Sequence, residues 1–310
     1  MRNPIVLRQG MLELALEPEL GACCSALRYH GGAGGPVDVL VPLAPGNTDP
    51  FQSGCFVLVP YSNRLFGQRL LMPGSEALAI PLNRDKVSTP VHGVGWTKRW
   101  NVVSCSRESA VLAYHHAPDA YWPFAHECGL TVTLADSGAH FELTLRNLGG
   151  AAMPAGLGFH PYFALEPDAL ASFQAKSVWQ QDADGVPNGM EAVAGNPRFD
   201  FSHPRPAQAV ELNHCFAHWD GYAQVLRPHH ALTVQLTAGP GLGHLVVYRP
   251  AAQPWLCMEP VSHATGAFSL KAMHSPENGV RYLASGASMV ASMDIEVETD
   301  VATPSSRVCR

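Results

Sequence analysis

Short stretches of the chain alternate strictly between apolar residues and polar or small ones. The clearest are residues 12–17, 130–134, 141–146, 232–236 and 293–297. Because successive side chains of a β-strand point to opposite faces, this alternation is typical of strands that pack on a core with one face. No stretch of 11–18 residues carries the apolar stripe of a helix without an interrupting Gly or Pro. The pattern predicts an all-β fold, a large antiparallel β-sandwich, with one or two short helices at most.

Glycine and proline are frequent, at 28 and 26 of the 310 residues, which favours many short elements joined by turns. A chain of this length often forms two domains, but no stretch has the composition of a linker. We therefore expect one domain over residues 1–298, followed by a frayed tail over residues 299–310. Residues 182–205 are polar and rich in turn formers, which predicts a long surface loop.

Charge and cysteine usage limit the classes of binding partner and the cellular compartment that the sequence favours. The net charge is −6 and no block of basic residues occurs, which argues against nucleic acid and against anionic membrane surfaces. No apolar stretch approaches 18 residues, and Glu13, Glu17 and Glu19 lie where a secretory signal would be apolar. The eight cysteines form no CxxC motif, which favours reduced thiols. We expect a cytoplasmic protein.

Motifs for cofactors and metals are missing from the sequence. It has no GxGxxG, no GxxxxGK[ST], no GxSxG and no HExxH. The adjacent pairs His115-His116 and His229-His230 make poor chelates, because neighbours on a strand face opposite ways. We expect no cofactor and no bound metal. A metal-dependent enzyme that uses some of the 15 histidines is kept as an alternative.

Four segments place polar groups in apolar or turn-rich surroundings: residues 60–64, 91–96, 156–163 and 255–261. Glu259 ends an apolar run and precedes a proline, so its carboxyl group is a candidate general base with a raised pKa. His160 lies between glycines and a Pro-Tyr-Phe run, so it is a candidate acid beside aromatic walls. Taken alone, each also fits an ordinary structural role: a strand-end glutamate in water or paired with an arginine, and a histidine bound to backbone.

His92 and Arg64 are the candidates in the two remaining segments. His92 precedes a Gly-Val-Gly-Trp turn, and Arg64 follows Asn63 in a Pro-Tyr-Ser-Asn turn. An arginine fork suits several hydroxyl oxygens at once. A turn histidine and a surface arginine are the plain alternatives.

Taken in order, these segments resemble the aldose 1-epimerase family, the sugar mutarotases. The resemblance rests on Ser62-Asn63-Arg64, His92-Gly93, the Gly-Phe-His-Pro-Tyr-Phe stretch at 158–163, and Glu259-Pro260, and it extends to residues 143–147, 153–156 and 281–286. It implies the galactose mutarotase-like supersandwich of two large twisted sheets. It also implies an isomerase that interconverts the α and β anomers of a free aldose such as galactose or glucose. The partner would be a monosaccharide, and the protein a monomer or homodimer.

The resemblance also assigns roles. Glu259 is implied as the base and His160 as the acid. In these roles Glu259 must start ionised and His160 protonated, which predicts a bell-shaped pH dependence of the rate. Arg64, His92 and Asn63 are implied as substrate-binding residues. The family has a sugar-binding aspartate where this sequence has Asn213, and Asp220 is a possible substitute.

Two further readings stay open. A mutarotase for phosphorylated hexoses would need additional arginines, for which Arg69 and Arg84 are candidates. A sugar-binding protein on the same scaffold, without turnover, is the other reading, and the asparagine at position 213 leaves it open.

Overall fold

A computed structural model describes residues 3–32, 34–251 and 253–299. The described chain consists of β-strands, turns and six 3₁₀ turns of three residues each, and no α-helix occurs in those ranges. The strands are β1 (Ile5–Gln9), β2 (Leu12–Glu17), β3 (Cys23–Tyr29), β4 (Val37–Leu40), β5 (Cys55–Leu58), β6 (Arg69–Leu70), β7 (Leu78–Ala79), β8 (Asn101–Cys105), β9 (Ser109–His116), β10 (His126–Leu134), β11 (Gly138–Asn147), β12 (Met153–Pro154), β13 (Gly158–Ala164), β14 (Leu170–Gln181), β15 (Pro187–Ala192), β16 (Arg205–Pro206), β17 (Leu212–Arg227), β18 (Leu232–Ala238), β19 (His244–Arg249), β20 (Trp255–Val261), β21 (Tyr282–Leu283) and β22 (Ser288–Glu298). The 3₁₀ turns are Pro50–Gln52, Phe66–Gln68, Gly95–Thr97, Pro228–His230, Lys271–Met273 and Pro276–Asn278.

The strands form two antiparallel runs that share the long strand β17. One run has the order β8, β9, β10, β11, β22, β18. The other has the order β1, β2, β3, then β4 and β5 side by side, β13, β20, β19. Residues 212–217 of β17 pair with β19, and residues 222–227 pair with β18. His218 and Gly221 have positive φ between the two halves, so the strand changes course there and passes from one run to the other.

The main core lies between these two runs. Leucines of β2, β9 and β11, such as Leu14, Leu112 and Leu143, are fully buried in one cluster with Ile295 of β22. Each such side chain contributes about 1.5–3 kcal/mol by leaving water. The face-to-face packing of two antiparallel runs confirms the predicted β-sandwich.

Alternation along β13 and β20 sends side chains to two different places. Phe159, Phe163 and Met258 belong to the main core, whereas Tyr162 and Cys257 belong to a second, smaller cluster on the opposite face. Residues of the second set therefore face away from the main core. This opposite face carries the candidate site.

Several expectations from the sequence concern the fold itself. The surface loop expected over 182–205 was wrong in part, because Pro187–Ala192 pairs with β14 as a strand and Phe199 and Phe201 are buried. The seven described cysteines are free thiols, and Cys105 alone among them is exposed. The expected tail lies outside the described residues except for Thr299. No helix long and apolar enough to cross a membrane occurs in the described ranges.

Candidate active site

Glu259 and His160 meet because they are cross-strand neighbours. Antiparallel β13 and β20 place Gly158 opposite Val261 and Tyr162 opposite Cys257, so the register sets His160 opposite Glu259. His160 Nε2 lies 3.2 Å from Glu259 Oε1, with side-chain exposures of 6% and 3%. Two residues about a hundred positions apart thus form one buried pair.

The prolines that follow His160 and Glu259 interrupt the backbone hydrogen bonding between β13 and β20 beside the pair. The Tyr162 N–H donates to the Gly54 carbonyl on the β5 side. Since backbone groups alternate in direction, the nitrogen of Pro161 is directed at β20. Neither Pro161 nor Pro260 has an N–H to donate, and the paired register is broken at this level. The acid–base pair therefore occupies a position without cross-strand hydrogen bonds, where opposed side chains approach closely.

Aromatic rings fix the orientation of the His160 imidazole. It stacks against two rings, Phe56 at a centroid distance of 4.6 Å and Tyr162 at 4.7 Å. Phe56 is its cross-strand neighbour on β5, and Tyr162 is two residues along β13. The ring plane is thus set by packing, which leaves the ring nitrogens to act at the edge of the stack.

Burial shifts the two members of the pair in opposite directions. It raises the pKa of Glu259 well above its ordinary value and lowers the pKa of His160 to about 3. Both shifts disfavour the charged form of the group concerned. The favoured state of the pair therefore has one proton, with Glu259 as a carboxylic acid and His160 as a neutral imidazole. The raised glutamate pKa agrees with the expectation from sequence. The starting state expected from the mechanism, protonated His160 with ionised Glu259, is the less favoured arrangement of that proton.

His92 is held as a hydrogen-bond donor to the cavity. It has a φ of 58°, and the Asn63 backbone N–H donates to its Nδ1 at 3.1 Å. Burial lowers the pKa of His92 well below its usual value, so the ring is neutral. Because Nδ1 accepts, the ring hydrogen lies on Nε2. Gly93 is required beside it, since a Cβ at φ 68° would approach the Val59 carbonyl oxygen to 2.1 Å.

The turn that carries Asn63 and Arg64 is anchored from the end of β20. The Ser62 backbone N–H donates to His263 Nε2 at 3.2 Å, and His263 is buried. Arg64 forms an isolated backbone bridge with Val91, next to His92. The two loop segments that the sequence singled out, around 62–64 and 91–93, are thus parts of one wall.

A cavity of about 370 Å³ lies over the pair, within the range of roughly 300–1,000 Å³ typical of small-molecule sites. Its floor is two rows of cross-strand neighbours, and its wall comes from residues 63–64 and 84–92. The first row contributes His160, Glu259 and Val246, and the second contributes Tyr162, Tyr248 and Asn213.

Six of the seven site residues expected from sequence line this cavity: Asn63, Arg64, His92, His160, Asn213 and Glu259. Asp220 is not among the lining residues. It is exposed within the bend in β17, and its carboxylate accepts a hydrogen bond from the Tyr222 N–H. Asp220 therefore does not replace the aspartate that position 213 lacks.

The two arginines considered for a phosphate are separated by the fold. Arg84 lines the cavity, but it is bound to Asp49 through two hydrogen bonds of 2.7 Å. The guanidinium lowers the pKa of the Asp49 carboxyl group, so this pair is ionised and neutral in sum. Arg69 instead lines a different surface hollow, with Lys271 and His274.

Three residues of the cavity carry side-chain atoms of the kinds that bind metals. Possible ligand atoms of His92, His160 and Glu259 lie within 4.8 Å of one another. The Asn63 N–H occupies His92 Nδ1, and the hydrogen on Nε2 blocks the other nitrogen. The set is therefore better suited to hydrogen bonding than to holding a cation.

Asn83 is a residue that sequence reasoning missed. Its Nδ2 donates to the carbonyls of Val91 and Gly93, both at 2.7 Å, and its Oδ1 accepts from the Val91 N–H at 2.9 Å. These bonds clamp both sides of His92. Nothing in the local sequence distinguishes Asn83 from an ordinary loop asparagine. Tyr248 could have been found, because period-two alternation in β19 places it on the face of Val246.

Fold and site together define a β-sandwich protein with a buried acid–base pair at the floor of a small-molecule cavity. The family model for aldose 1-epimerase matches residues 5–296, and the chain belongs to that family. It is 31% identical over 255 residues to the uncharacterized protein YphB of Escherichia coli K12, covering 79% of this chain and 84% of YphB.

Solved structures share this fold, and two of them illustrate their similarity to this chain. A galactose mutarotase-like protein from Clostridium acetobutylicum superposes with a TM-score of 0.83 at 17% identity, over 96% of this chain and 95% of that one. The galactose 1-epimerase from Lactobacillus acidophilus NCFM gives 0.75 at 16% identity, over 95% and 94%. At these identities the likeness shows a common fold.

Proposed function

We propose that this protein is an aldose 1-epimerase that interconverts the α and β anomers of an aldose, with free sugars such as galactose or glucose as its substrates. The observation that carries the proposal is the buried contact of 3.2 Å between His160 Nε2 and Glu259 Oε1, at the floor of a cavity of monosaccharide size. Mutarotation needs a base at the anomeric hydroxyl and an acid at the ring oxygen, held together.

The proton balance of the reaction matches a pair with one proton. Glu259 takes the proton from the C1 hydroxyl while His160 gives one to the ring oxygen, so the C1–O5 bond breaks and C1 becomes an aldehyde carbon. Rotation about C1–C2 turns the other face of the aldehyde to the ring hydroxyl. Closure returns both protons with the roles exchanged. The pair carries one proton before and after, so no cofactor is consumed.

Charge states and hydrogen bonds support these roles. The reactive arrangement, ionised Glu259 with protonated His160, forms from the neutral one by a proton shift across the 3.2 Å contact. Glu259 Oε2 has no hydrogen-bond partner within the described protein and retains acceptor capacity for a sugar hydroxyl. His92 Nε2–H, Asn63 and Arg64 supply donors to other sugar oxygens.

The test is the enzyme-dependent rate of anomer exchange, measured by exchange NMR or polarimetry on galactose and glucose. Glu259→Gln keeps the shape and removes the base, so we expect a loss of about 10²–10⁴-fold, to near the spontaneous rate. His160→Asn is expected to do the same. Glu142→Gln, which alters an exposed carboxylate on β11, is the matched control. Near-wild-type exchange in Glu259→Gln would refute the assignment. Sugar-induced stabilisation of the wild type without faster exchange would instead indicate a binding protein.

Domain organisation, location and assembly are part of the same proposal. We propose one domain over residues 1–298, since both antiparallel runs enter one continuous set of paired strands through β17. A cytoplasmic location is supported by the free thiols among the described cysteines. A monomer or homodimer is the proposed assembly, which light scattering would test.

A further inference from the structure

The charge of the cavity is opposite to that of the chain. The protein carries a net charge of −6. The lining residues nevertheless include three cations, Arg64, Arg84 and Lys86, and a single carboxyl group, that of Glu259. Burial favours the protonated form of that carboxyl group. Positive charge is therefore concentrated where the sugar would bind.

Two of these cations have no counter-charge. Arg84 is neutralised by Asp49. Arg64 and Lys86 form no ion pair within 4.0 Å of any carboxylate in the described ranges, and neither side chain makes a hydrogen bond there. Arg64 is half-buried and Lys86 is exposed at the rim. A half-buried guanidinium without a counter-charge is available to bind an anion, whose oxygens match its planar fork.

The nearby acidic residues do not supply that charge. Asp85 is the sequence neighbour of Lys86 and is exposed. Asp182 and Asp184 lie in the turn between β14 and β15, which approaches Arg64 at Gly185. The Asp182 carboxylate accepts from the backbone N–H groups of Asp184 and Val186, so it is engaged in its own turn.

The residue at position 213 is an uncharged asparagine, where the family resemblance implies an aspartate, so the cavity has one negative charge fewer. The β17–β19 register places Asn213 opposite Tyr248, and both line the floor. Its neutral amide can bind a hydroxyl without repelling an anion. An aspartate here would offset the charge of Arg64, whereas the asparagine leaves it uncompensated.

We infer that the preferred substrate is an aldose with an anionic substituent, a carboxylate or a phosphate, on the part of the ring away from C1. Arg64 binds this group through its planar fork, and Lys86 adds a second charge at the rim. This inference rests on the proposed function, because it keeps the same site and reaction and places anionic aldoses ahead of neutral ones such as galactose and glucose.

The experiment compares anomer exchange of paired sugars that differ in charge. D-Galacturonate is set against its neutral methyl ester and galactose, and D-glucose 6-phosphate against glucose. The Glu259→Gln protein serves as the blank for each sugar, because anionic sugars and buffers catalyse some exchange themselves. We expect kcat/KM for at least one anionic sugar to exceed that of its neutral partner by about tenfold or more. The advantage should shrink as salt rises from about 20 to 500 mM.

Three substitutions test whether the effect arises in the cavity. Lys86→Gln should lower the anionic preference by up to about fivefold, as expected for an exposed ion pair. Lys271→Gln removes the same charge from a different hollow and should leave the preference unchanged. Asn213→Asp should reduce the preference further, because it returns a carboxylate to the floor.

The outcomes separate this inference from the proposed function. A preference for the carboxylate or for the phosphate sugar supports the inference and identifies the anion. Equal or faster exchange of the neutral partners overturns the inference and leaves the epimerase proposal standing. Absence of enzyme-dependent exchange with every sugar overturns both.

Discussion

Replacing Glu259 by glutamine is expected to stabilise the fold at neutral pH while it removes the catalytic base. The Glu259 carboxyl group is buried, and burial raises its pKa well above the ordinary value of 4.5. In the unfolded chain the group ionises near 4.5, whereas in the folded protein it keeps its proton to higher pH. Ionisation therefore favours the unfolded state, and stability is lost as pH rises from 4.5 towards the folded pKa.

The size of the effect follows from proton linkage. Each pH unit in that window lowers the free energy of unfolding by up to about 1.4 kcal/mol. Glutamine has no proton to lose, and its amide N–H can donate to His160 as the carboxylic acid does. The variant should therefore match the wild type near pH 4.5 and become progressively more stable above it.

Urea unfolding of both proteins at intervals from pH 4.5 to 8 measures this directly. The exposed Glu142→Gln variant is the control and should show no difference that grows with pH. A Glu259→Gln protein that is less stable than the wild type at pH 8 would contradict the reasoning. That result would mean that the pair is ionised and that the charge on Glu259 stabilises the fold.

Three more predictions follow from the same geometry. The pH–rate profile should be flat through neutrality. The rate falls in acid only when the pair gains a second proton on His160, whose pKa is lowered to about 3, and it falls in alkali only when the pair loses its proton. A fall in rate centred near pH 6.5 on the acid side would contradict this. Asn83→Ala should lower kcat/KM by about tenfold through misplacement of His92, while sugars still bind. Asn83→Gln keeps the amide and should retain more activity. Equal loss in both variants would argue against the role of Asn83 in holding the backbone around His92. Gly93→Ala should cost at least about 1–2 kcal/mol of stability in a urea melt, because of its positive φ and the Val59 carbonyl; a change below about 0.5 kcal/mol would contradict that packing.

Alternation in the sequence was sufficient for the fold class and for the face on which each side chain lies. Residues 130–134, for example, form part of β10 with alternate side chains buried. The same rule failed at residues 187–192, where Gly and Pro suggested a loop and pairing with β14 decided otherwise. Cross-strand pairing is a tertiary effect that local propensity does not contain.

The site shows the same division between local and long-range information. His160 and Glu259 were recognisable as candidates, but their contact depends on the β13–β20 register, which joins distant segments. The preference of the pair for neutrality required knowledge of burial. Asp220 was a reasonable substitute by sequence distance, yet the bend in β17 turns it away. Asn83 acts only through backbone groups of another turn, so no side-chain motif could reveal it.

The most direct test of the acid–base account is a crystal structure of Glu259→Gln with a bound aldose. The account predicts that the C1 hydroxyl lies within about 2.6–3.2 Å of the residue 259 amide and that the ring oxygen lies at the same distance from His160. A sugar bound in the cavity with C1 directed at the rim, away from both residues, would contradict it.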